Sequence, residues 1–136
     1  MLKKLSLVEL IKAVQERVEV NTGLKCYDEV LMDTEAPFYY VEYVRAEPSN
    51  TKTMWCETHL VYVHAIAEKG PGRTKIYKMI QQLEEALTEE ITIPDEYSLV
   101  LQTSQGTLAI KTDPSNEKHS INAFSFKVSY GFKTKI

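Results

Sequence analysis

The sequence predicts an α+β fold of two layers, a sandwich in which two helices pack on one side of a mixed or antiparallel sheet. Two stretches with the same apolar spacing of three and four residues indicate amphipathic helices. Between them, residues 54–67 alternate as one strand of unusual length. The connections are short, which favours antiparallel neighbours, and the predicted order is α-β-β-β-α-β-β with a long central β-hairpin.

The first predicted helix begins after Ser6. The segment Ser6-Leu-Val-Glu9 has the form of a capping box, in which the serine hydroxyl and the glutamate carboxylate satisfy each other's backbone N–H groups. Gly23 ends the helix, a short strand is predicted over 24–31, and Pro37 closes the turn that follows. The apolar stripe of this helix consists of Leu7, Leu10, Ile11, Val14 and Val18.

The central hairpin is the most distinctive predicted feature. The strand over 38–45 carries large side chains on both faces, so we expect each face to contact protein. A polar turn over 46–50 joins it to the long strand. Fourteen residues in that strand would span about 45 Å, far more than the usual five or six residues, so part of it is predicted to project past the sheet and contact a partner.

The second half of the chain is predicted to hold one helix and the closing strands. Gly70-Pro-Gly72 breaks the long strand, and the helix over 74–87 follows. Strand-like stretches at 97–103 and 107–112 lie on either side of a polar turn at 104–106. The stripe of the helix consists of Ile76, Met79, Ile80, Leu83 and Leu87.

The last predicted strand, over 120–132, has one apolar and one polar face. The polar face carries mostly Ser, Lys and Gly, so we expect it to be solvated and the apolar face to be buried. The face predicted to be buried consists of Asn122, Phe124, Phe126, Val128, Tyr130 and Phe132.

Composition indicates an ordinary globular domain spanning 1–136. Apolar residues make up 43% and charged residues 26%, and the net charge of -3 gives no global attraction to nucleic acid or to an anionic membrane. Charged residues such as Glu9 and Lys12 interrupt any export signal, and no long apolar run predicts a membrane span, so we expect a cytoplasmic protein. Cys26 and Cys56 are predicted to be small buried residues without a disulfide.

No residue pattern predicts catalysis, a metal site or a cofactor. Glu57 and His59 share a strand face beside Cys56, but a catalytic zinc needs three protein ligands. The other two histidines, His64 and His119, belong to no known ligand spacing. We therefore predict that the protein is not an enzyme.

A basic, glycine-rich loop before the second helix is a candidate anion-binding site. It consists of Gly70, Gly72, Arg73, Thr74 and Lys75, where free N–H groups and the helix dipole favour phosphate. The order of residues is not that of a nucleotide P-loop. A flexible turn between strand and helix is the alternative that stays open.

The same loop resembles, in part, the entry to the last helix of the double-stranded RNA-binding domain. Gly70, Gly72, Thr74 and Lys75 fit that family's pattern, whereas Ile76 stands where its second lysine would be. The predicted strands are longer than in that domain, two further strands follow, and the chain is acidic. A nucleic-acid-binding module of this type is therefore the alternative function.

The order of elements along nearly the whole chain carries a second resemblance. Its carriers are the helix over 5–20, Phe38-Tyr-Tyr-Val-Glu-Tyr43, His64-Ala-Ile-Ala67, the helix over 74–87 and Phe124-Ser-Phe-Lys-Val-Ser-Tyr130. In architecture the chain resembles the tail-terminator and head–tail joining proteins of long-tailed phages and prophages. This resemblance implies a virion structural protein that acts in tail completion as the subunit of a homo-oligomeric ring, often a hexamer. The implied partners are the tail tube and the head connector, and the implied locations are the host cytoplasm during assembly and the virion.

The resemblance, together with strand chemistry, gives a set of candidate interface residues. Edge strands with large side chains on both faces are suited to pair with the next subunit, which nominates Tyr39, Tyr43 and Trp55. Core packing of the same side chains is the open alternative. The hairpin tip would present Glu47, Asn50 and Lys52, at a place where the family resemblance implies docking of tail and head partners.

Overall fold

The computed structural model describes residues 1–30 and 33–133 and confirms the α+β class. Within these residues, two helices and five strands follow one another in the order α-β-β-β-α-β-β. Neither described helix combines the length and the apolarity that crossing a lipid bilayer requires. The elements are α1 (Leu7–Thr22), β1 (Cys26–Tyr27), β2 (Phe38–Pro48), β3 (Met54–Ala67), α2 (Thr74–Ala86), β4 (Ser98–Thr112) and β5 (Lys118–Phe132).

The five strands form one mixed sheet in the order β1-β2-β3-β5-β4. β1 runs parallel to β2, and every other neighbouring pair is antiparallel. α1 contacts β1 and β2, α2 contacts β3 and β5, and the two helices contact each other. The buried apolar core therefore lies between the helices and one face of the sheet, and its fully buried members include Leu10, Val14, Val18, Ile76, Leu83, Phe124 and Phe126.

α1 begins and ends where the sequence predicts. The hydroxyl of Ser6 accepts a hydrogen bond from the backbone N–H of Val8 at 3.1 Å, one residue earlier than a capping box requires. Gly23 adopts a left-handed φ of 78° and donates its N–H to the carbonyl of Glu19. Leu7, predicted to belong to the buried stripe, is 47% exposed, so that part of the prediction is wrong.

The strand predicted over 24–31 is much shorter in the structure. Only Cys26 and Tyr27 pair with β2. The side chain of Gln15 donates to the carbonyl of Cys26, and the carboxylate of Glu19 accepts from its N–H, both at 3.0 Å. The α1 side chains therefore satisfy the backbone groups of Cys26 that face away from β2. The last residue of the predicted strand lies outside the described residues.

The long strand β3 does not project beyond the sheet, so that expectation is wrong. It pairs with β5 from Met54↔Phe132 to Ala67↔Lys118. β5 has 15 residues and therefore covers the full 14-residue length of β3. The surface available for partners must lie elsewhere on the sheet.

The two strand stretches predicted on either side of 104–106 are one continuous strand, β4. The predicted turn is a bulge, because Ser104 pairs with Phe124 and Gly106 pairs with Ala123, which leaves Gln105 as an extra residue. Gly106 has a φ of 89°, which glycine adopts without steric cost. Two further register shifts occur in β4.

The predicted burial of β5 is correct on one face and wrong at two points. Phe132 is 78% exposed, because a register shift leaves Tyr130 as an extra residue and ends the regular alternation before it. The face expected to be solvated is largely buried, because β5 lies inside the sheet between β3 and β4. Its buried residues within the predicted strand are Ala123, Ser125 and Ser129.

Candidate interaction surfaces

The tip of the β2–β3 hairpin is a well-ordered polar turn. The N–H of Ser49 donates to the carbonyl of Cys56, and the N–H of Thr51 donates to the carbonyl of Met54, both at 3.0 Å. The side-chain oxygen of Asn50 accepts from the N–H of Cys56 at 2.8 Å. Asn50 is exposed, and its side chain stabilises the conformation of the turn.

The other tip residues predicted to contact partners are exposed. Glu47 and Lys52 both face solvent, and Glu47 forms an ion pair with Arg45 at 2.9 Å. Trp55 is 41% exposed, and the ammonium group of Lys133 lies 4.9 Å from the centre of its ring. Trp55 thus offers an apolar surface beside the charged tip, and its role in partner binding stays a prediction.

Tyr39 is not available to a partner, contrary to the sequence-based expectation. Its side chain is fully buried, and its hydroxyl donates to the carbonyl of Met79 in α2 at 2.8 Å. The adjacent Tyr40 faces the opposite side of the sheet, as strand alternation requires. Tyr39 is therefore a core residue, which is the alternative that the sequence left open.

Tyr43 is half-buried and belongs to a polar network on the helix side of the sheet. Its hydroxyl lies 2.8 Å from Nδ1 of His59, and Nε2 of His59 lies 2.7 Å from the hydroxyl of Tyr130. Tyr130 donates to the carboxylate of Glu57 at 2.8 Å, and Lys4 pairs with the same carboxylate at 3.3 Å. Because Tyr130 gives its proton to Glu57, its oxygen accepts from Nε2–H of His59. Tyr43 then donates to Nδ1, which gives it a structural role.

A second network lies on the opposite face of the sheet. Nε2 of His64 lies 2.7 Å from the carboxylate of Glu42, and its Nδ1 lies 2.7 Å from Nε2 of His119. The other nitrogen of His119 lies 3.3 Å from the carboxylate of Asp113. Tyr40 stacks on His64 with ring centres 4.2 Å apart. Only one proton fits between the facing imidazole nitrogens, so one histidine donates and the other accepts.

The side chains of each network form a linear chain of hydrogen bonds and do not surround a common centre. Among the residues that the structure describes, no group of three or more His, Cys, Asp or Glu side chains is arranged to hold a metal ion. Cys26 and Cys56 are buried free thiols, and burial raises the pKa of Cys26. The two networks therefore link neighbouring strands of the sheet through side-chain hydrogen bonds.

We expect the free energy of unfolding to fall when the pH is lowered from 7 to 5. Burial lowers the pKa of His59, and burial also lowers the pKa of His64 against the opposing effect of Glu42. Well above the unfolded-state pKa of about 6.5 both side chains are neutral in the folded and the unfolded chain, so their contribution is fully present. Below it the unfolded chain binds protons first, which should cost about 1–3 kcal/mol by pH 5.

Urea unfolding at pH 7 and pH 5 measures this change, and NMR titration of the three histidines identifies the groups responsible. The variant His59→Gln should lose part of the pH dependence while the rest, from His64, remains. A free energy of unfolding that is equal at both pH values, or larger at pH 5, would contradict the prediction.

The glycine-rich loop predicted to bind an anion lies on the surface before α2. Gly72 has a φ of 75°, and Arg73 occupies the N-cap position of α2 without a side-chain capping bond. Lys75 lies 3.5 Å from the carboxylate of Glu68. Glu68 and other carboxylates line the neighbouring cleft, which weakens the attraction for an anion. Anion binding by Gly70, Gly72, Arg73, Thr74 and Lys75 stays a prediction.

The sheet has two open edges, at opposite ends of its strand order. β1 covers β2 only at Tyr39 and Tyr40, so residues 41–48 of β2 have no strand partner on that side among the described residues. β4 pairs with β5 alone over its 15 residues in the described part of the chain. Both edges present backbone N–H and C=O groups that can pair with another strand.

Sequence reasoning missed the β4 edge, which also carries exposed apolar side chains. Val100 is 44% exposed, Leu101 57% and Leu108 53%. Lys111 is the single charged residue between Ser98 and Thr112, and this scarcity of charge is the signal in the sequence that marks an unprotected edge. The position of β4 at the end of the sheet could not be read from the order of elements, because β5 lies between β3 and β4.

Two comparisons with known proteins agree with this architecture. The family model Phage_tail_terminator_4, described as "Putative tail termination protein", matches residues 1–136. A chain of the solved structure "Virion of native gene transfer agent (GTA) particle" is similar in fold, with a TM-score of 0.67 and 17% sequence identity. That match covers 90% of this chain and 96% of the other. No curated protein matches the sequence.

The family match bears directly on the alternatives that the sequence left open. It covers the whole chain and concerns tail termination, whereas a double-stranded RNA-binding domain would account for only part of the chain. The structural match shows a common fold for the helices and the sheet. This chain therefore belongs to the phage tail terminator family, and its role is that of a structural protein of a phage virion.

Proposed function

We propose that this protein forms a closed ring of identical subunits that terminates the tail tube and joins it to the head connector. The observation that carries the proposal is the match of the tail termination family to all of residues 1–136. We propose six subunits, since rings of the tail-terminator type are often hexamers. The role requires binding surfaces and no chemical step, and we place assembly in the host cytoplasm before incorporation into the virion.

Two features of the subunit support a ring. A ring of identical chains needs two different complementary surfaces on each subunit, because a self-complementary patch gives only a two-fold dimer. The open edges of β2 and β4 lie at opposite ends of the sheet, which supports their use as the two surfaces. The hairpin tip is separate from the β4 edge and presents charged side chains, which suits it for a different partner.

The oligomeric state tests the ring directly. Light scattering coupled to size exclusion, from low to high protein concentration at moderate salt, should give a discrete species near six subunits, either alone or after addition of tail tubes. A protein that stays monomeric at high concentration and also fails to bind tail tubes would refute the ring.

Reversing the charge of Lys52 at the hairpin tip should weaken partner docking and leave the ring intact. Lys52 is exposed and lies outside β2, so the fold should be unchanged in the variant Lys52→Glu. We expect at least a tenfold loss of affinity for tail tubes or head connectors in a co-sedimentation assay, since charge complementarity at an interface sets specificity. The matched control is Lys78→Glu, an exposed position on α2. Equal binding by the tip variant and the native protein would contradict the role of the tip.

A further inference from the structure

The β4 edge has the properties of a surface that is covered in the assembled protein. Exposed edge strands are normally protected by charged residues, proline or a short length. β4 has 15 residues and a single charge, at Lys111. Its bulges bend the strand, but Val100 and Leu108 are themselves the extra residues at two of them, so they add apolar surface beside the edge.

The β2 edge lies beside an apolar groove on the helix side of the sheet. The groove has a volume of about 310 Å³ and lies between α1 and β2, where Leu7, Val8 and Val41 are among its apolar lining residues. Leu7 and Val8 are 47% and 63% exposed, although both lie on the helix next to the core. An apolar groove beside a free strand edge provides both backbone pairing and side-chain burial to an added strand.

Charge is also complementary between the two edges. The free part of β2 carries Glu42, Arg45 and Glu47, which is two carboxylates against one guanidinium, a net charge of 1 - 2 = -1. β4 carries Lys111, a net charge of +1. The β4 edge of another copy therefore suits the β2 edge better than a second β2 edge would, because like charges in directly opposed strands are destabilising.

We propose that β4 of one copy adds to the free edge of β2, residues 41–48, in the next copy. This inference rests on the proposed ring and specifies the contact that closes it. The two edges lie at opposite ends of one sheet, so the same contact repeats head to tail around the ring.

The dimensions of such a ring leave room for a central channel. Each copy contributes the four strands β2, β3, β5 and β4, so six copies form a closed sheet of about 24 strands. At about 4.8 Å per strand the circumference is about 115 Å and the diameter about 37 Å. Barrels of about 16 to 18 strands already enclose an aqueous channel.

Engineered cysteines test which edges meet. The native Cys26 and Cys56 are 4% and 2% exposed, so a bifunctional maleimide should react mainly with introduced thiols. Ala46→Cys lies on the β2 edge and is exposed, and Leu101→Cys and Leu108→Cys lie on β4. In the multimer, Ala46→Cys combined with either β4 variant should give a covalent ladder of dimers, trimers and larger species. Each single variant should stay monomeric on a denaturing gel.

A second pair of variants does not depend on strand register. Val100→Lys combined with Leu108→Lys places two charges on the β4 edge and should raise the concentration needed for the multimer at least tenfold. Val20→Lys is the matched control, because Val20 is 74% exposed on α1. All these positions are exposed in the single chain, so the melting temperatures of the variants should stay close to that of the native protein.

The outcomes separate this contact from the proposed ring. Covalent dimers from Leu108→Cys alone would mean that two β4 edges pair, which overturns the proposal. A multimer that persists in the Val100→Lys, Leu108→Lys variant and gives no ladder from the paired cysteines would also overturn it, while the ring itself would stand. If no multimer forms under any condition, alone or on tail tubes, both the ring and this contact are refuted.

Discussion

Phe124→Ala is expected to lower the free energy of unfolding by about 3–5 kcal/mol, because it leaves a large cavity in the middle of the core. Phe124 is 1% exposed, and on β5 it lies opposite Val61 of β3 and Ser104 of β4. A loss of this size is a large part of the stability of a typical domain of about 5–15 kcal/mol. Urea unfolding followed by circular dichroism measures it.

Phe132→Ala is the matched control for this substitution. It removes the same side chain from the same strand, but Phe132 is 78% exposed, so we expect a change below about 0.5 kcal/mol. An equal loss of unfolding free energy in both variants would contradict the burial of Phe124 and the exposure of Phe132.

Asn122→Asp is expected to cost about 3–5 kcal/mol at pH 7 although the side chain keeps its shape. Asn122 is fully buried, and its amide nitrogen donates to the carbonyl of Val63 at 3.1 Å and to the hydroxyl of Ser120 at 3.0 Å. An aspartate carboxylate has no proton to donate, so a buried charge would face the carbonyl oxygen of Val63. The hydroxyl of Thr107, which donates to the side-chain oxygen of Asn122 at 2.8 Å, would keep its acceptor.

The pH dependence of this variant distinguishes a buried charge from a packing defect. Burial would raise the folded-state pKa of the new carboxyl above its unfolded value of about 3.9, so the penalty should shrink as the pH falls through the folded-state pKa. Thr107→Val removes only the donor to the amide oxygen and should cost about 1 kcal/mol at every pH. If Asn122→Asp unfolds at the same urea concentration as the native protein at pH 7, the described hydrogen bonds are not those of the folded chain.

Periodicity and end signals were sufficient to predict both helices and the long hairpin. Leu10, Val14 and Val18 are buried at the predicted spacing, and Gly23 ends α1. Three details depended on contacts between elements rather than on the pattern within one element. β1 is shorter than predicted, bulges bend β4, and the inner position of β5 buries its polar face. Local sequence patterns do not contain this information.

The candidate surfaces were predictable where they follow from local polarity. Glu47, Asn50 and Lys52 are exposed because turn residues lie at the surface. Alternation separates Tyr39 from Tyr40 but does not say which of them faces the helices, and Tyr39 proved to be the buried one. The open edges of β2 and β4 follow from the order of strands in the sheet, which only the folded structure provides.

The pairing of β3 with β5 joins two hairpins into one sheet. β2 with β3, and β4 with β5, are hairpins that close locally, whereas Val61↔Phe124 joins residues more than about 60 positions apart, a contact that is slow to form. Each hairpin carries one of the two open edges. In a ring joined at those edges, tension between neighbouring subunits would pass across the β3–β5 ladder of every copy, so that ladder would set the force at which a subunit yields.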